Sequence, residues 1–222
     1  MASSTSVPPT ASDESHPRGK PSLTASTSVV PPSKPPTEVH QTAHLDPQAY
    51  IQGRYTITLG ANVVIHPRAR LVSICGPLTI GAGTVIAERC IVGGPSSDPR
   101  EPLPPAPAEP LKTVIGQDVV LHASAEVEAG ASLDDACLIE PRAVIKKGVR
   151  IGQHGKVCAG CAVDRSVGDW MVVWGDGQLR RMRTGAHELE EARLKALERE
   201  REATAGLLKA AAAKATLVKR RG

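Results

Sequence analysis

From residue 115 the chain divides into sixes: IGQDVV (115–120), LHASAE (121–126), VEAGAS (127–132), LDDACL (133–138), IEPRAV (139–144), IKKGVR (145–150), IGQHGK (151–156) and VCAGCA (157–162). Each opens on an aliphatic residue, Ile115, Leu121, Val127, Leu133, Ile139, Ile145, Ile151 and Val157, and Val163 opens the next. A six-residue repeat is the signature of a parallel β-helix, in which short strands pair with strands one coil away. Four places after each aliphatic come Val119, Ala125, Ala131, Cys137, Ala143, Val149, Gly155, Cys161 and Val167, all small or β-branched. A bulky side chain stacks above the next only if its neighbour across a narrow core is slim. The alternation therefore describes the inside of a thin coil, and function belongs on its outside.

Upstream the same beat runs through Val39, Leu45, Ile51 and Ile57, slips by two to Leu59, and continues through Ile65 and Leu71. A three-residue insertion, Cys75 to Pro77, precedes Ile80, Ile86 and Val92. Residues 95–110 then hold seven prolines, which remove backbone donors and prohibit regular pairing. An extruded loop over 94–112 follows from this, since the beat returns at once with Ile115. With three hexads to a triangular coil, the spacing predicts about six coils over 39–175. Residues 1–38 are rich in Ser, Thr and Pro and read as a disordered arm.

Residues 176–222 read as an exit segment and a C-terminal helix. From Ala186 to Val218 the composition turns to Glu, Lys, Arg, Leu and Ala, the strong helix formers. Thr184 is a candidate cap, Glu191 and Lys195 a supporting pair, and Lys219 to Arg221 suit the helix C-terminus. Leu194, Leu197, Ala205, Leu208, Ala212 and Ala215 share one face, predicted to pack along the β-helix. Arg201 interrupts this stripe and Gly206 weakens it.

Composition excludes several functions. Two Trp, two Tyr and no Phe suit a stack of identical slots better than an irregular globular core. Net charge is +4, but residues 39–184 carry 15 basic against 14 acidic side chains, and residues 185–222 carry 9 against 6. The excess lies in the tail, without interleaved aromatics, so nucleic-acid binding is not expected. No signal-peptide core opens the chain and no run approaches the roughly 18 apolar residues of a membrane span, so a cytosolic protein without membrane insertion is expected. Of five cysteines, the frame of six places Cys75, Cys90, Cys137 and Cys161 in the small inward slot. Cys158 and Cys161 form one Cys-x-x-Cys pair, with no second pair to complete a metal site.

Such coils resemble the left-handed hexapeptide-repeat superfamily, which includes acyltransferases and γ-class carbonic anhydrases. Left-handed winding is what that resemblance implies. A carbonic anhydrase of this kind needs three histidines around zinc and an early Arg-Gly-Asp-like stretch, where this chain has Ile51, Gln52, Gly53 and Arg54. His66 and His122 each follow an aliphatic hexad start without a histidine partner five residues away, and His40 and His44 fall in the opening coil. An acyltransferase needs a histidine base beside a cleft; the proline-rich loop has no histidine, and His154 reads as an isolated surface residue.

A narrower resemblance rests on three stretches. Val64, Ile65, His66, Pro67, Arg68, Ala69 and Arg70 precede the Gly76–Pro77 insertion and Ile80, Gly81, Ala82, Gly83; an acidic, proline-rich excursion runs from Pro95 to Pro110; Trp174 to Thr184 contains Leu179, Arg180, Arg181. Together they resemble the dynactin subunit 6 family, hexapeptide-repeat subunits of the dynactin pointed end. The resemblance implies a non-catalytic scaffold without catalytic, cofactor or metal residues, cytoplasmic and cytoskeletal, supporting dynein-driven transport along microtubules and cargo attachment. Its implied partners are dynactin subunit 5, in a heterodimer, the pointed-end actin-related protein and dynactin subunit 4, with dynein and cargo reached indirectly. Candidate contacts are Trp170, Trp174, Leu179, Arg180, Arg181 and Arg183, near an open coil end. A homotrimeric hexapeptide-repeat enzyme is the alternative.

Overall fold

The computed structural model describes residues 34–94, 105–175, 178–181 and 186–221. Three strands make each coil. The first coil holds β1 (Thr37–Val39), β2 (His44–Leu45) and β3 (Tyr50–Gly53); the second β4 (Ile57–Leu59), β5 (Val64–Ile65) and β6 (Arg70–Ser73); the third β7 (Leu78–Ile80), β8 (Val85–Ile86) and β9 (Ile91–Val92). Beyond the loop come β10 (Thr113–Ile115), β11 (Val120–Leu121) and β12 (Glu126–Val127), then β13 (Ser132–Leu133), β14 (Leu138–Ile139) and β15 (Val144–Ile145). The sixth coil is β16 (Arg150–Ile151), β17 (Lys156–Val157) and β18 (Ala162–Val163). A partial seventh begins with the Val167 bridge to Ile151 and continues as β19 (Met171–Trp174); β20 (Gln178–Arg181) and the helix α1 (Ala186–Arg221) follow.

The coils stack into three sheets of six, eight and six strands, parallel throughout except for β20, one per side of a triangular solenoid. In the second sheet Leu45, Ile65, Ile86, Leu121, Ile139, Val157 and Val173 stand in register, as the six-residue beat predicts. From Ile65 onward each is at most 1% exposed. The slim residues Val119, Ala125, Ala131, Cys137, Ala143, Val149, Cys161 and Val167 lie in the same core. Burial pushes the Cys90 and Cys137 thiols up to about 12, so both serve as small apolar fillers. The slip from Ile57 to Leu59 is one strand with both ends inward.

Each corner turns on the fourth residue of its hexad. Asp118, Ser124, Gly130, Ala136, Arg142, Gly148, His154 and Gly160 all have φ between 51° and 78°, a region that disfavours side chains with a Cβ. The turns are bonded coil to coil, as in Ser124 N to Glu88 O at 2.9 Å and Ala136 N to Gln117 O at 2.8 Å. Lateral bonding by these backbone groups holds the left-handed conformation.

Two expectations are corrected. Cys75 lies half-buried outside the core, because β6 is four residues long and buries Ser73, whose hydroxyl donates to Tyr55 O at 2.7 Å. The coil end at Trp174 is not a bare edge in the second sheet. There β20 runs antiparallel to β19, pairing Met171 with Arg181, Val172 with Arg180 and Trp174 with Gln178. Thr184 and most of the proline-rich loop lie outside the described residues.

Candidate interaction surfaces

In a two-residue strand the second side chain points into the coil and the first points out. On the second sheet the outward row reads His44, Val64, Val85, Val120, Leu138, Lys156 and Val172, aliphatic through its middle. The corresponding row on the first sheet is Glu38, Thr58, Thr79, Val114, Ser132 and Arg150. The third sheet's row, Tyr50, Arg70, Ile91, Glu126, Val144 and Ala162, is broken by Arg70 and Glu126, so among the described residues only the second sheet offers an apolar outer face long enough to take a helix. Helix α1 lies on it, running back from the last coil toward the first.

The docked face of α1 is Glu190, Arg193, Leu194, Leu197, Arg201, Thr204, Ala205 and Leu208, at spacings of one, three and four residues. Leu194, Leu197, Ala205 and Leu208 take the side the sequence predicts, while Leu189 and Leu207 face solvent. Arg201 does not interrupt the stripe. Its Nη1 donates to Gly83 O at 3.0 Å and pairs with Asp118 Oδ1 at 3.2 Å, which satisfies a half-buried guanidinium at a coil corner. Gly83, at φ 71°, leaves the room: a Cβ there would come within 2.6 Å of Arg201 Nη1.

At its start α1 is clamped to successive corners. Trp170 stacks on His154 with ring centroids 4.0 Å apart and meets His187 at 4.1 Å. His154 Nδ1 lies 3.1 Å from Glu190 Oε1; Glu190 also binds Arg193, whose Nε donates to Oε2 at 2.8 Å and whose Nη2 donates to Ala136 O at 2.8 Å. Burial pushes the Glu190 carboxyl upward, but hydrogen bonds from Arg193 and His154 outweigh it and hold the group below its ordinary value. Glu191 and Lys195 form the expected exposed pair at 2.7 Å.

Between α1 and the second sheet lies a cavity of about 350 Å³ over Val64, Val85, Val120 and Leu138, with His66, His122 and Glu200 at its margin. Burial lowers the pKa of His66. His44, in the first coil, is lowered by the same cause and its Nε2 has no hydrogen-bond partner. His154 is not the isolated surface residue the sequence suggests; it belongs to the helix clamp. Cys161 is in the core, Cys158 is half-buried beside it with its thiol raised by burial, and all five cysteines are free. Among the described residues no three His, Cys, Asp or Glu side chains are grouped to hold a metal ion, and no helix is long and apolar enough to cross a membrane.

The residues expected as contacts are brought near one another only in part. Trp170 is half-buried within the clamp, Trp174 is half-buried in β19, and Arg181 is exposed on β20. Leu179 and Arg180 occupy β20, but their side chains, like all of Arg183, lie outside the described residues. The outer row Val64, Val85, Val120, Leu138 was missed in the sequence. Its signal is an aliphatic just before the hexad start in every third hexad.

Curated proteins match the chain in sequence, among them dynactin subunit 6 of two species. Dynactin subunit 6 of Xenopus tropicalis is 29% identical over 130 residues, covering 58% of this chain and 63% of that protein. Dynactin subunit 6 of Danio rerio is 29% identical over 134 residues, covering 59% and 67%. The chain resembles dynactin subunit 6. It spans just under two thirds of the length of the Xenopus protein. No family model matches it. In fold it is similar to a hexapeptide transferase family protein from Anaplasma phagocytophilum, with TM-score 0.58 and 18% identity over 78% of this chain and 92% of that one. A Bacillus cereus protein described as a putative acetyltransferase superposes with TM-score 0.55 and 15% identity over 79% and 99%. At these identities the likeness is one of fold alone, a parallel β-solenoid of hexapeptide repeats.

Proposed function

We propose that this chain is a non-catalytic scaffold subunit of the dynactin pointed end, where it pairs with dynactin subunit 5 beside the pointed-end actin-related protein and dynactin subunit 4. In that place it supports dynein-driven transport and cargo attachment from the cytoplasmic cytoskeleton. The observation that carries this reading is the 29% identity to two dynactin subunit 6 proteins over 130 and 134 residues. Support comes from the surface chemistry. His154 is committed to Glu190 and Trp170, and the apolar face is spent on the chain's own helix. Trp174 of β19, Leu179, Arg180 and Arg181 of β20, and Arg183 remain proposed contacts at the exit.

Native mass measurement of the purified chain, alone and with dynactin subunit 5, tests the reading. A one-to-one heterodimer is the expected species. A stable homotrimer of this chain that turns over acyl-CoA donors would replace the scaffold with an enzyme.

A further inference from the structure

Helix α1 covers the outer face of the second sheet without filling the space above it. Its seat is on one margin. Arg193 reaches Ala136 O, and Arg201 reaches Gly83 O and Asp118, all on the corner that precedes the strands. The two arginines are eight residues apart, roughly 12 Å along the helix axis, and prop it there. Leu197 between them is buried, but the neighbouring Ala196 and Thr204 are short side chains that leave the hollow unfilled.

The cavity is a trough. Its floor is Val64, Val85, Val120 and Leu138, one from each of four paired strands. At about 4.8 Å per strand the floor runs roughly 14 Å along the solenoid. One wall is α1, and the other is the row that follows each hexad start, His66, Ala87 and His122. A volume of about 350 Å³ lies within the range of small-molecule sites and exceeds what close packing leaves between two elements of one chain.

The charges around it are unevenly settled. Arg193 is paired with Glu190 and Arg201 with Asp118. Glu200, at the margin, makes no side-chain hydrogen bond or ion pair among the described residues, and neither do the imidazoles of His66 and His122. Glu200 and Glu88 both act on His66, which puts them at the Val64 end of the trough. Burial keeps His66 neutral at pH 7, with one ring nitrogen free to accept a hydrogen bond. One end of the trough is therefore acidic and the rest aliphatic.

We propose that this trough binds a straight-chain primary amine, whose ammonium group donates to Glu200 and to the free ring nitrogen of His66 while its alkyl chain lies along Val85, Val120 and Leu138. The inference does not depend on the scaffold reading. A chain of about eight to ten carbons, with bonds near 1.5 Å, fits the length of the floor, and its burial supplies the hydrophobic part of the affinity. Charge complementarity selects the head group. A carboxylate would face Glu200 and Glu88 with both arginines already committed, and an alcohol would leave the Glu200 charge uncompensated.

The test uses the full chain at neutral pH with 1-octylamine, 1-octanol and octanoate as probes, each below its solubility and micelle limits, and reads affinity by calorimetry. Octylamine is expected to bind at least tenfold tighter than octanoate and to shift the imidazole signals of His66 and His122 in the NMR spectrum. Glu200→Gln, at an exposed position, should weaken octylamine at least fivefold and leave octanol within twofold. Val85→Phe fills the floor and should abolish binding of both at an unchanged melting temperature; if that variant melts early, Glu200→Gln alone decides. Octanoate as tight as octylamine, no octylamine binding at 2 mM, unmoved imidazole signals, or an affinity indifferent to Glu200→Gln overturns the proposal. A dimer of the lone chain that comes apart in Val85→Phe would assign the trough to a second copy and overturn it as well.

Discussion

Leu138 and Ile139 are consecutive residues with opposite tasks. Ile139 is fully buried among the stacked aliphatics, so Ile139→Asp places an unpaired carboxylate in the core at a cost of about 4 kcal/mol or more. Thermal melting should drop by roughly 10 °C; an unchanged melting temperature contradicts the inward column. Trp170 holds its left-handed corner, φ 58°, while its ring bridges His154 and His187. Trp170→Ala should cost about 1 kcal/mol in denaturant unfolding, and His187 should lose its aromatic ring-current shift in the NMR spectrum.

Two imidazoles, His44 buried and His66 half-buried, add a pH dependence whose sign is fixed. Burial lowers the pKa of His44 and His66 below the ordinary 6.5, so the folded chain holds them neutral. The unfolded chain then binds protons more readily as pH falls below 6.5, and the stability from these residues, complete above that value, is lost on acidification. Melting temperature should fall from pH 7 to pH 5. The fall should shrink in His66→Leu; an equal fall in that variant would assign it elsewhere.

At the scale of elements, the helix and its seat are separable from the solenoid. Leu138→Asp faces the cavity under α1, so it should loosen the helix and leave the coils intact. Hydrogen exchange at α1 should rise at least tenfold while amides of β11 and β14 keep their protection; equal loss in both would mean that the solenoid depends on its brace. The inward columns were legible because one residue type recurs at one spacing, and strand pairing across coils then follows from geometry. The seat was harder to read. Val64, Val85, Val120 and Leu138 precede hexad starts, where a β-branched or aliphatic residue also satisfies strand preference alone, so their outward role emerges only when every third hexad is aligned. Arg201 looked like a break because a stripe of hydrophobicity carries no information about a corner carbonyl and an aspartate awaiting a guanidinium. The hairpin strand β20 leaves little trace in its sequence, since two arginines among four residues do not read as a paired strand.

As a whole molecule, the chain is quasi-one-dimensional: each coil contacts its neighbours, and stability is a sum of repeats and interfaces. Such a body has two ends and three sides, and here one side is taken by α1 and one end is partly closed by β20. On the proposed reading, what remains is surface for assembly. The hexapeptide-repeat fold is shared with transferases, and folds of this kind do not fix chemistry by themselves. The account therefore turns on company rather than turnover. Sedimentation of the tagged chain from a cell extract through a gradient tests it most directly. The account predicts that the chain travels with the pointed-end actin-related protein in a particle the size of dynactin; a chain found only as a small, self-assembled trimer would contradict it.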